Sequence, residues 1–379
     1  MNHSTNNLHI THIASGDLWA GAEVQLFTLC KTLNQINDMK VSVILLNHGT
    51  LENKLREAGV FVKVIDESKA NSLQIFFRLI KIIKRLKPNV IHTHRIKENI
   101  LGSIAAKLAH NVPSIRSVHG APEHPPSIRK PHKYLLYLLD WLSARYLQEK
   151  IIAVSADLQT ILNKRYPQDK IDVVENGVDI DSLAPYREHK LLANSNRPNS
   201  FKIGLVGRLV PVKRVDIFIK IAKFIRDSKP NLDIQFHIYG DGPLCDELKQ
   251  LSDRLSVNDI VIFEGHCENI HTQIASLDAL LITSDHEGLP MTLLEAMALR
   301  TPIVAHSVGG ITTTCKNGEC CWLVHENSAE ELANTLLACL DDREKRSAIA
   351  SQAQSHIEHH YSAHANANSL VLAYKSLEK

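Results

Sequence analysis

The feature that most restricts the fold is an alternation of short apolar runs with segments of helical spacing, which occurs twice along the chain. The runs are rich in β-branched residues, as expected for strands that are buried on both faces. In the first half they cover residues 9–14, 41–46, 61–65, 90–92, 114–118 and 151–154, with helical patterns such as 23–33 and 100–109 between them. In the second half they cover residues 201–206, 234–239, 260–263, 279–283 and 302–305, with helical patterns at 215–228, 244–255 and 291–299. This order predicts an α/β protein with two parallel sheets, each covered by helices on both faces.

A polar segment at residues 186–200, YREHKLLANSNRPNS, interrupts the alternation and predicts a linker. We therefore expect one Rossmann-like domain at residues 1–185 and another at residues 201–360. The C-terminal helix, 361–379, is expected to pack back on the first domain. In such a pair, ligands are expected in the cleft between the carboxyl ends of the two sheets.

Composition and missing motifs argue against several classes of protein. The 379 residues contain no apolar run near the roughly 18 that span a bilayer, and the first residues lack a secretory signal, so we expect a cytoplasmic protein. The seven cysteines form no CxxC pair and HExxH is absent, which predicts reduced thiols and no metal site. A net charge of only +2, without interleaved basic and aromatic residues, argues against nucleic-acid binding. The missing GxGxxG argues against a dehydrogenase.

Basic residues are concentrated in the first half, most visibly in SLQIFFRLIKIIKRLK at residues 72–87. Apolar residues recur there at helical spacing, with lysines and arginines between them. One interpretation is a helix that packs on the core with a solvated basic face. The other is a helix that lies on an anionic membrane surface.

Two glutamates, Glu287 and Glu295, lie eight positions apart in SDHEGLPMTLLEAMA. Glu287 falls on a loop at a strand's carboxyl end, and Glu295 falls inside the next helix. The helix is predicted to begin near Pro290, so the start of the helix, Leu289, Pro290, Met291 and Thr292, favours an anion such as phosphate. A carboxylate at Glu295 suits two adjacent hydroxyls, as in a ribose. The alternative is that Glu287 caps the helix and Glu295 makes a surface ion pair.

Two further loops favour a phosphate-binding function. A strand ends at Gly207 and is followed by Arg208 and Lys213, and two cations at one strand end suit a diphosphate. The loop ASGDLWAGAE, which contains Gly21, joins the first strand to the first helix, and its small residues let the backbone approach a ligand.

Taken in order, GRLVPVKRVD, YGDGP, FEGH, SDHEGLPMTLLEAMA and PIVAHSVGG resemble the nucleotide-sugar-binding half of the retaining GT-B glycosyltransferases of family 4, glycosyl transferases group 1. The upstream motifs ASGDLWAGAE, VIHTH, SVHG, AVSADL and ENGVD are similar to the acceptor-side half of that family. The resemblance covers nearly the whole chain. It implies the GT-B fold, two Rossmann-like domains whose parallel sheets face each other across a cleft.

The resemblance also implies roles for individual residues. Glu295 would bind the ribose of a nucleoside diphosphate sugar and Glu287 the hydroxyls of the transferred sugar. Arg208 and Lys213 would neutralise the departing diphosphate without a metal or other cofactor. Gly21 would lie against phosphate and acceptor, and His119 of SVHG would lie near the reacting sugar. The resemblance assigns donor contacts to Gly21, Gly207, Arg208, Lys213, Leu289, Pro290, Met291, Thr292 and Glu295, and catalytic roles to His119, Glu287, Arg208 and Lys213.

Four positions depart from the family pattern. Arg300 and Cys321 stand where glycine is usual, Ala20 replaces the first glycine of a pair, and Thr313 replaces an acidic residue. None removes the predicted phosphate and sugar contacts. Loops of the first half, such as residues 120–131, are expected to recognise the acceptor.

The implied activity is transfer of a hexose or N-acetylhexosamine, with retention, to a glycan or polyprenyl-linked acceptor. We expect a role in cell-envelope polysaccharide assembly, and the membrane-surface interpretation of residues 72–87 would add a peripheral membrane contact. Two alternatives stay open: a nucleotide-sugar epimerase or sugar phosphorylase of the same fold, and a nucleotide-sugar binder without catalysis.

Overall fold

The computed structural model describes residues 7–120, 131–193, 200–316 and 318–377. The chain divides into two compact units. The first unit contains residues 1–177 and 363–379, and the second contains residues 178–362.

The first unit is built on a seven-stranded parallel sheet with the strand order β3-β2-β1-β4-β5-β6-β7. Its strands are β1 (Leu8–Ala14), β2 (Met39–Leu45), β3 (Phe61–Val64), β4 (Val90–Thr93), β5 (Ser114–Val118), β6 (Gln148–Ala153) and β7 (Ile171–Val173). Its helices are α1 (Gly21–Leu33), α2 (Thr50–Glu57), α3 (Ser72–Leu86), α4 (Ile96–His110), α5 (Pro131–Tyr146), α6 (Ala156–Asn163) and α15 (Ala363–Lys375). Because the chain crosses back to the middle of the sheet between β3 and β4, loops that follow β1 and β4 meet at one edge, where ligands of such sheets bind.

The second unit repeats this plan with six parallel strands in the order β10-β9-β8-β11-β12-β13. Its strands are β8 (Phe201–Val206), β9 (Ile234–Tyr239), β10 (Val261–Gly265), β11 (Ala279–Ile282), β12 (Ile303–His306) and β13 (Trp322–Val324). Its helices are α7 (Ile180–Ala193), α8 (Val215–Ser228), α9 (Cys245–Arg254), α10 (Ile270–Ser276), α11 (Met291–Ala298), α12 (Gly310–Cys315), α13 (Ala329–Asp341) and α14 (Arg343–His360). The predicted fold class, two Rossmann-like domains with parallel sheets, is confirmed.

Helix α3 shows how the sequence defines local structure. The Asn71 side chain accepts a hydrogen bond from the Gln74 backbone amide, and the Gln74 side chain accepts one from the Asn71 backbone amide. These are the two reciprocal hydrogen bonds of a capping box at the start of the helix. Ile75, Leu79 and Ile83 are fully buried, spaced four residues apart on one face. This is the core-packed helix that the first interpretation predicted. Among the described residues, no helix combines the length and apolar character needed to cross a bilayer.

The predicted linker at 186–200 is wrong for its first part. Residues 186–193 belong to α7, which starts at Ile180 and lies in the second unit. The helix formers in YREHKLLA outweigh the polar character that suggested a linker. Residues 194–199 lie outside the described residues. The division between the units falls after Gly177 and not at 185, and α15 is in the first unit, where it packs on α1.

Candidate functional site

Lys213 and Glu287 form an ion pair at the carboxyl ends of two neighbouring strands of the second unit. Lys213 follows β8, and Glu287 follows β11, which pairs with β8. Lys213 Nζ lies 2.5 Å from Glu287 Oε1, and Ser284 Oγ donates a hydrogen bond of 2.6 Å to the same oxygen. The Lys213 side chain is 23% exposed and that of Glu287 11%, so a partly desolvated charge pair lies at the edge where such sheets bind ligands.

The Glu287 loop is held by a close backbone approach at Gly309. Gly309 has φ 53°, in the left-handed region, and a Cβ there would lie 1.8 Å from the Glu287 carbonyl oxygen. The next amide, Gly310, donates a hydrogen bond of 2.7 Å to the Gly288 carbonyl. Only glycine permits both the backbone conformation and the contact. The glycines of HSVGG therefore fix the position of Glu287.

Helix α11 begins at Met291, the first residue of the predicted helical pattern, with Pro290 at the N-cap. The Pro290 carbonyl accepts from the amides of Leu293 and Leu294. Amides earlier in the first turn have no acceptor within the helix, so those of Met291 and Thr292 can bind an anion. Thr292 lines a cavity of about 10 Å³ together with Lys213 and Glu287. The predicted helix-start residues and the ion pair are therefore neighbours.

Glu295 is only 6% exposed, although it lies one turn inside α11. Its Oε1 is 3.2 Å from Nε2 of His271, the second residue of α10. The His271 ring contacts the ring of Tyr186, with 5.6 Å between the ring centroids. The alternative of a helix cap and a surface pair is wrong, because Glu287 bonds Lys213 and Glu295 is buried. His271 was missed, since a lone histidine early in a predicted helix carries no sequence signal.

Gly207 and Arg208 differ in their surroundings. A Cβ on Gly207 would lie 3.5 Å from Cε of Lys213, an ordinary van der Waals contact, so Gly207 borders the lysine side chain. Arg208 is exposed, and its guanidinium has no hydrogen bond or ion pair within the part of the chain that the structure describes. Arg208 is thus a cation available to a ligand.

The remaining predicted site residues, Gly21 and His119, are in the first unit. Gly21 is the exposed first residue of α1. The preceding Ala20 has φ −137°, which alanine adopts without strain, and its amide donates to Glu23 Oε2 at 3.2 Å. Glu23 is buried and pairs with Arg95. Burial raises the pKa of the Glu23 carboxyl and Arg95 lowers it, with the net effect upward.

His119 follows β5 and is the end of a row of histidines. His94 Nδ1 lies 3.1 Å from His119 Nε2, and His94 Nε2 lies 3.0 Å from His12 Nδ1. The His92 ring contacts those of both His12 and His94, and its Nδ1 lies 2.7 Å from the Tyr374 hydroxyl and its Nε2 2.9 Å from Ser117 Oγ. Sequence reasoning singled out His119 alone. The signal that could have found the others is that His12 and His92 lie within β1 and β4, which pair in the sheet, and His94 follows β4 directly.

The other departures from the family pattern have local structural explanations. Arg300 has φ 54° directly after the C-cap of α11, a left-handed position that favours glycine, and its guanidinium bonds Gln354. Thr313 Oγ1 donates to the Gly310 carbonyl at 3.2 Å. Cys321 is fully buried, which raises the pKa of its thiol. Of the loop predicted to recognise the acceptor, residues 121–130 lie outside the described residues.

Comparisons with known proteins give matches to both halves of the chain. Residues 189–356 match the family model "Glycosyl transferases group 1", and residues 19–182 match "Glycosyltransferase Family 4". The Escherichia coli UDP-Gal:alpha-D-GlcNAc-diphosphoundecaprenol alpha-1,3-galactosyltransferase is 27% identical over 343 residues, which cover 85% of this chain and 88% of that protein. A D-inositol 3-phosphate glycosyltransferase of Arthrobacter sp. (strain FB24) is 24% identical, covering 93% of this chain and 85% of the relative.

Among solved structures, Alr3699/HepE of Anabaena in complex with UDP is similar, with a TM-score of 0.81 and 23% identity over 97% of this chain and 100% of that chain. WaaG, a glycosyltransferase involved in lipopolysaccharide biosynthesis, gives a TM-score of 0.74 at 14% identity, covering 96% of this chain and 99% of that chain. These likenesses extend over both units, so the fold is that of the GT-B glycosyltransferases. The two family models together span most of the chain, and the protein therefore belongs to the glycosyl transferases group 1 family.

Proposed function

We propose that the protein is a retaining, metal-independent glycosyltransferase that uses a uridine diphosphate sugar. The observation that carries the proposal is the group formed by Lys213, Glu287 and the start of α11, with the buried Glu295 one turn further along. The lysine and the helix-start amides suit a diphosphate, Glu287 suits the hydroxyls of the sugar attached to it, and Glu295 suits the ribose. The uridine base is supported by a galactosyltransferase relative that uses UDP-Gal and a structural neighbour that binds UDP.

In this proposal the transferred group is a hexose or N-acetylhexosamine. The bond between the anomeric carbon and the diphosphate oxygen breaks, and its electron pair leaves with the diphosphate. The acceptor hydroxyl oxygen forms the new bond to the anomeric carbon on the same face, and its proton passes to an oxygen of the departing diphosphate. Lys213 and Arg208 stabilise the charge that develops on the leaving group, and the amides of Met291 and Thr292 add to this. These fixed donors supply the charge stabilisation that a metal ion provides in other transferases.

The remaining contacts in the proposal are those of the sugar and the ribose. Glu287 holds the hydroxyls of the transferred sugar, because Ser284 and Lys213 fix its carboxylate beside the phosphate position. Glu295 accepts hydrogen bonds from both ribose hydroxyls, and His271 orients it. His119 contacts the reacting sugar, and Gly21 lets the start of α1 approach phosphate and acceptor. These assignments follow the family motifs residue by residue.

The acceptor we propose is a glycan or a polyprenyl-linked sugar of cell-envelope polysaccharide assembly. Relatives that act on a diphosphoundecaprenol-linked sugar and on poly(ribitol-phosphate) support this class. We propose that the protein works in the cytoplasm at the inner membrane face, with peripheral contact through α3. Its exposed basic residues on α3, Arg78, Lys81, Lys84 and Arg85, would face anionic lipid.

The test combines donor binding with product release. Purified protein is screened by thermal shift against UDP, GDP, ADP and CMP and their common sugars without added metal, because a ligand specific for the folded state raises the melting temperature. The donor that shifts it is then incubated with a short polyprenyl diphosphate-linked N-acetylglucosamine. Acceptor-dependent release of UDP supports a transferase. Isomerised nucleotide sugar formed without an acceptor would indicate an epimerase. Sugar phosphate formed in the presence of free phosphate would indicate a phosphorylase. Binding without turnover would indicate a sensor.

A further inference from the structure

The row of imidazoles in the first unit is a chain of hydrogen bonds with two open ends. Its links are His12 Nδ1 to His94 Nε2, 3.0 Å, and His94 Nδ1 to His119 Nε2, 3.1 Å. The outer nitrogens, His12 Nε2 and His119 Nδ1, are both shielded from solvent and have no partner among the described residues. A buried polar atom without a partner is rare, and this chain leaves one at each end.

The chain consists of neutral rings. Burial lowers the pKa of His12 to about 3 and that of His119 to about 4, and it lowers the pKa of His94 well below the usual value. The Arg95 guanidinium acts in the same direction on His94 and His119. A neutral imidazole carries one N–H and one lone pair. The two links therefore force all three rings to carry their protons on the same side.

Only two arrangements satisfy both links, and they differ in which end is left with an N–H. In one, His12 Nε2 holds an unpaired N–H inside the sheet, where the residue is completely buried. In the other, each ring is protonated on Nδ1, His12 Nε2 keeps a lone pair, and the unpaired N–H is at His119. Either arrangement leaves one shielded N–H without an acceptor among the described residues, so the two arrangements differ in where that N–H lies. The second arrangement places it on a partly exposed residue directly after β5, at the edge where ligands of such sheets bind, although Nδ1 itself is shielded in the ligand-free protein.

We propose that His12 and His94 are positioning residues that fix His119 as a neutral Nδ1–H donor for an oxygen atom of a bound ligand. The identity of the oxygen that His119 contacts, a hydroxyl or phosphate oxygen of the donor sugar, rests on the proposed function. The tautomer itself does not, because it depends only on the hydrogen bonds and the burial of the rings in the ligand-free protein.

A metal ion is the competing explanation for this cluster, since ligand atoms of His12, His92 and His94 lie within 4.8 Å of one another. Both ring nitrogens of His92 are already hydrogen-bonded, to Tyr374 and to Ser117. The facing nitrogens of His12 and His94 are at hydrogen-bonding distance, and an ion between them would have to spread the rings. The contacts favour the hydrogen-bonded chain.

The first test is long-range proton–nitrogen correlation NMR of full-length protein labelled with ¹⁵N-histidine at pH 7, which distinguishes the protonated from the unprotonated ring nitrogen. Signals are assigned with His94→Phe, His12→Phe and His119→Phe. In the wild-type protein we expect His119 to be protonated on Nδ1 alone. The His94→Phe variant keeps an aromatic ring at this position but removes both hydrogen bonds of the chain. In that variant we expect His119 to be a mixture of both tautomers. His9→Gln, on the same strand as His12 but outside the chain, should leave the His119 signals unchanged. A wild-type His119 protonated on Nε2 or on both nitrogens overturns the proposal, as does stoichiometric bound metal by elemental analysis.

The second test is a double-mutant cycle on turnover with the donor and acceptor found in the screen. Loss of one hydrogen bond predicts that His94→Phe and His119→Phe each lower the rate roughly tenfold. If His94 acts through His119, the double variant loses about tenfold as well, and not a hundredfold. Independent losses that multiply would overturn the positioning role. If the wild-type protein has no transferase activity, the proposed function fails while the NMR result still decides the tautomer.

Discussion

Lys213 Nζ and Glu287 Oε1 are 2.5 Å apart, although 74 residues separate them in the chain. The pairing holds the ammonium group at the strand end before any ligand arrives. An ammonium has three donors, so the contact with Glu287 leaves two for oxygens of a diphosphate. Because the lysine is already oriented, little side-chain entropy is lost on binding, and its charge can act when the leaving group departs.

Lys213→Ala should lower turnover more than donor affinity. The lysine would interact most strongly with the departing diphosphate, whose charge develops in the transition state, so we expect kcat to fall about a hundredfold. Calorimetry of UDP binding and steady-state kinetics measure the two effects separately. Lys229→Ala, an exposed lysine of the same unit, is the matched control. A variant that loses affinity but keeps kcat would assign Lys213 to binding of the donor ground state.

Glu295→Ala should weaken binding of the nucleotide by about 2 to 3 kcal/mol, because two charge-assisted hydrogen bonds to the ribose are lost. Titration calorimetry with UDP measures this loss. His271→Ala should cause a smaller loss, since it removes only the group that orients the carboxylate. Glu330→Ala changes an exposed acid of the same unit and should have no effect. Unchanged UDP affinity in Glu295→Ala would rule out the ribose contact.

The fold could be predicted because buried parallel strands leave a strong local pattern. Runs such as ALLI at β11 are apolar throughout, and the helices between the strands keep their helical spacing. The linker prediction failed where composition and propensity disagreed: YREHKLLA is polar but consists of good helix formers, and it continues α7. Local polarity does not reveal which unit a helix packs on.

The candidate site was predictable only in part. Gly207, Lys213 and Glu287 follow strands, so sequence order places them at one edge of a parallel sheet. The contacts of Glu295 with His271, and of His119 with His94 and His12, join residues far apart in the chain, and no spacing rule encodes them. Such partners are defined by the strand order of the sheet, which a single sequence does not contain.

Arg300→Gly should be more stable than Arg300→Ala by about 1 kcal/mol. Both variants lose the hydrogen bond to Gln354, but only alanine keeps a side chain at φ 54°, where the Cβ is strained. Urea unfolding of the two variants measures the difference directly. Equal stability of the two would mean that the left-handed backbone at this position carries no strain.

Stability should fall as the pH falls below 6.5, partly because of His9. Burial, assisted by Lys40, lowers the pKa of His9 to about 4 in the folded protein, and its Nε2 lies 3.0 Å from Ser42 Oγ. Between pH 6.5 and 4 the unfolded chain binds a proton at this ring that the folded protein does not. This lowers the free energy of unfolding by up to about 1.4 kcal/mol per pH unit.

The measurement is urea unfolding of the wild-type protein and His9→Gln between pH 7.5 and 4.5. Glu23 and Glu98, whose pKa values are raised by burial, act in the opposite direction, but they are common to both proteins. The pH dependence of the wild-type protein should therefore be steeper than that of the variant. Parallel curves would contradict the lowered pKa of His9.

Charge reversal on α3 tests the membrane contact. Lys81, Lys84 and Arg85 are exposed, whereas the buried face of the helix is formed by Ile75, Leu79 and Ile83, so the substitutions leave the core contacts intact. Each basic side chain near an anionic surface contributes about 1 kcal/mol. We therefore expect the triple glutamate variant to lose sedimentation with vesicles that contain anionic phospholipid, and the binding of the wild-type protein to weaken as salt is raised.

The control for this experiment makes the same change in net charge elsewhere. Lys229, Lys249 and Arg254 are exposed residues of the second unit, and their replacement by glutamate should leave vesicle sedimentation close to that of the wild-type protein. Equal loss in both triple variants would indicate that net charge alone attracts the protein to the vesicles. Equal binding of the α3 variant and the wild-type protein would remove this helix as the contact, because a surface that docks through Lys81, Lys84 and Arg85 cannot tolerate reversal of all three charges.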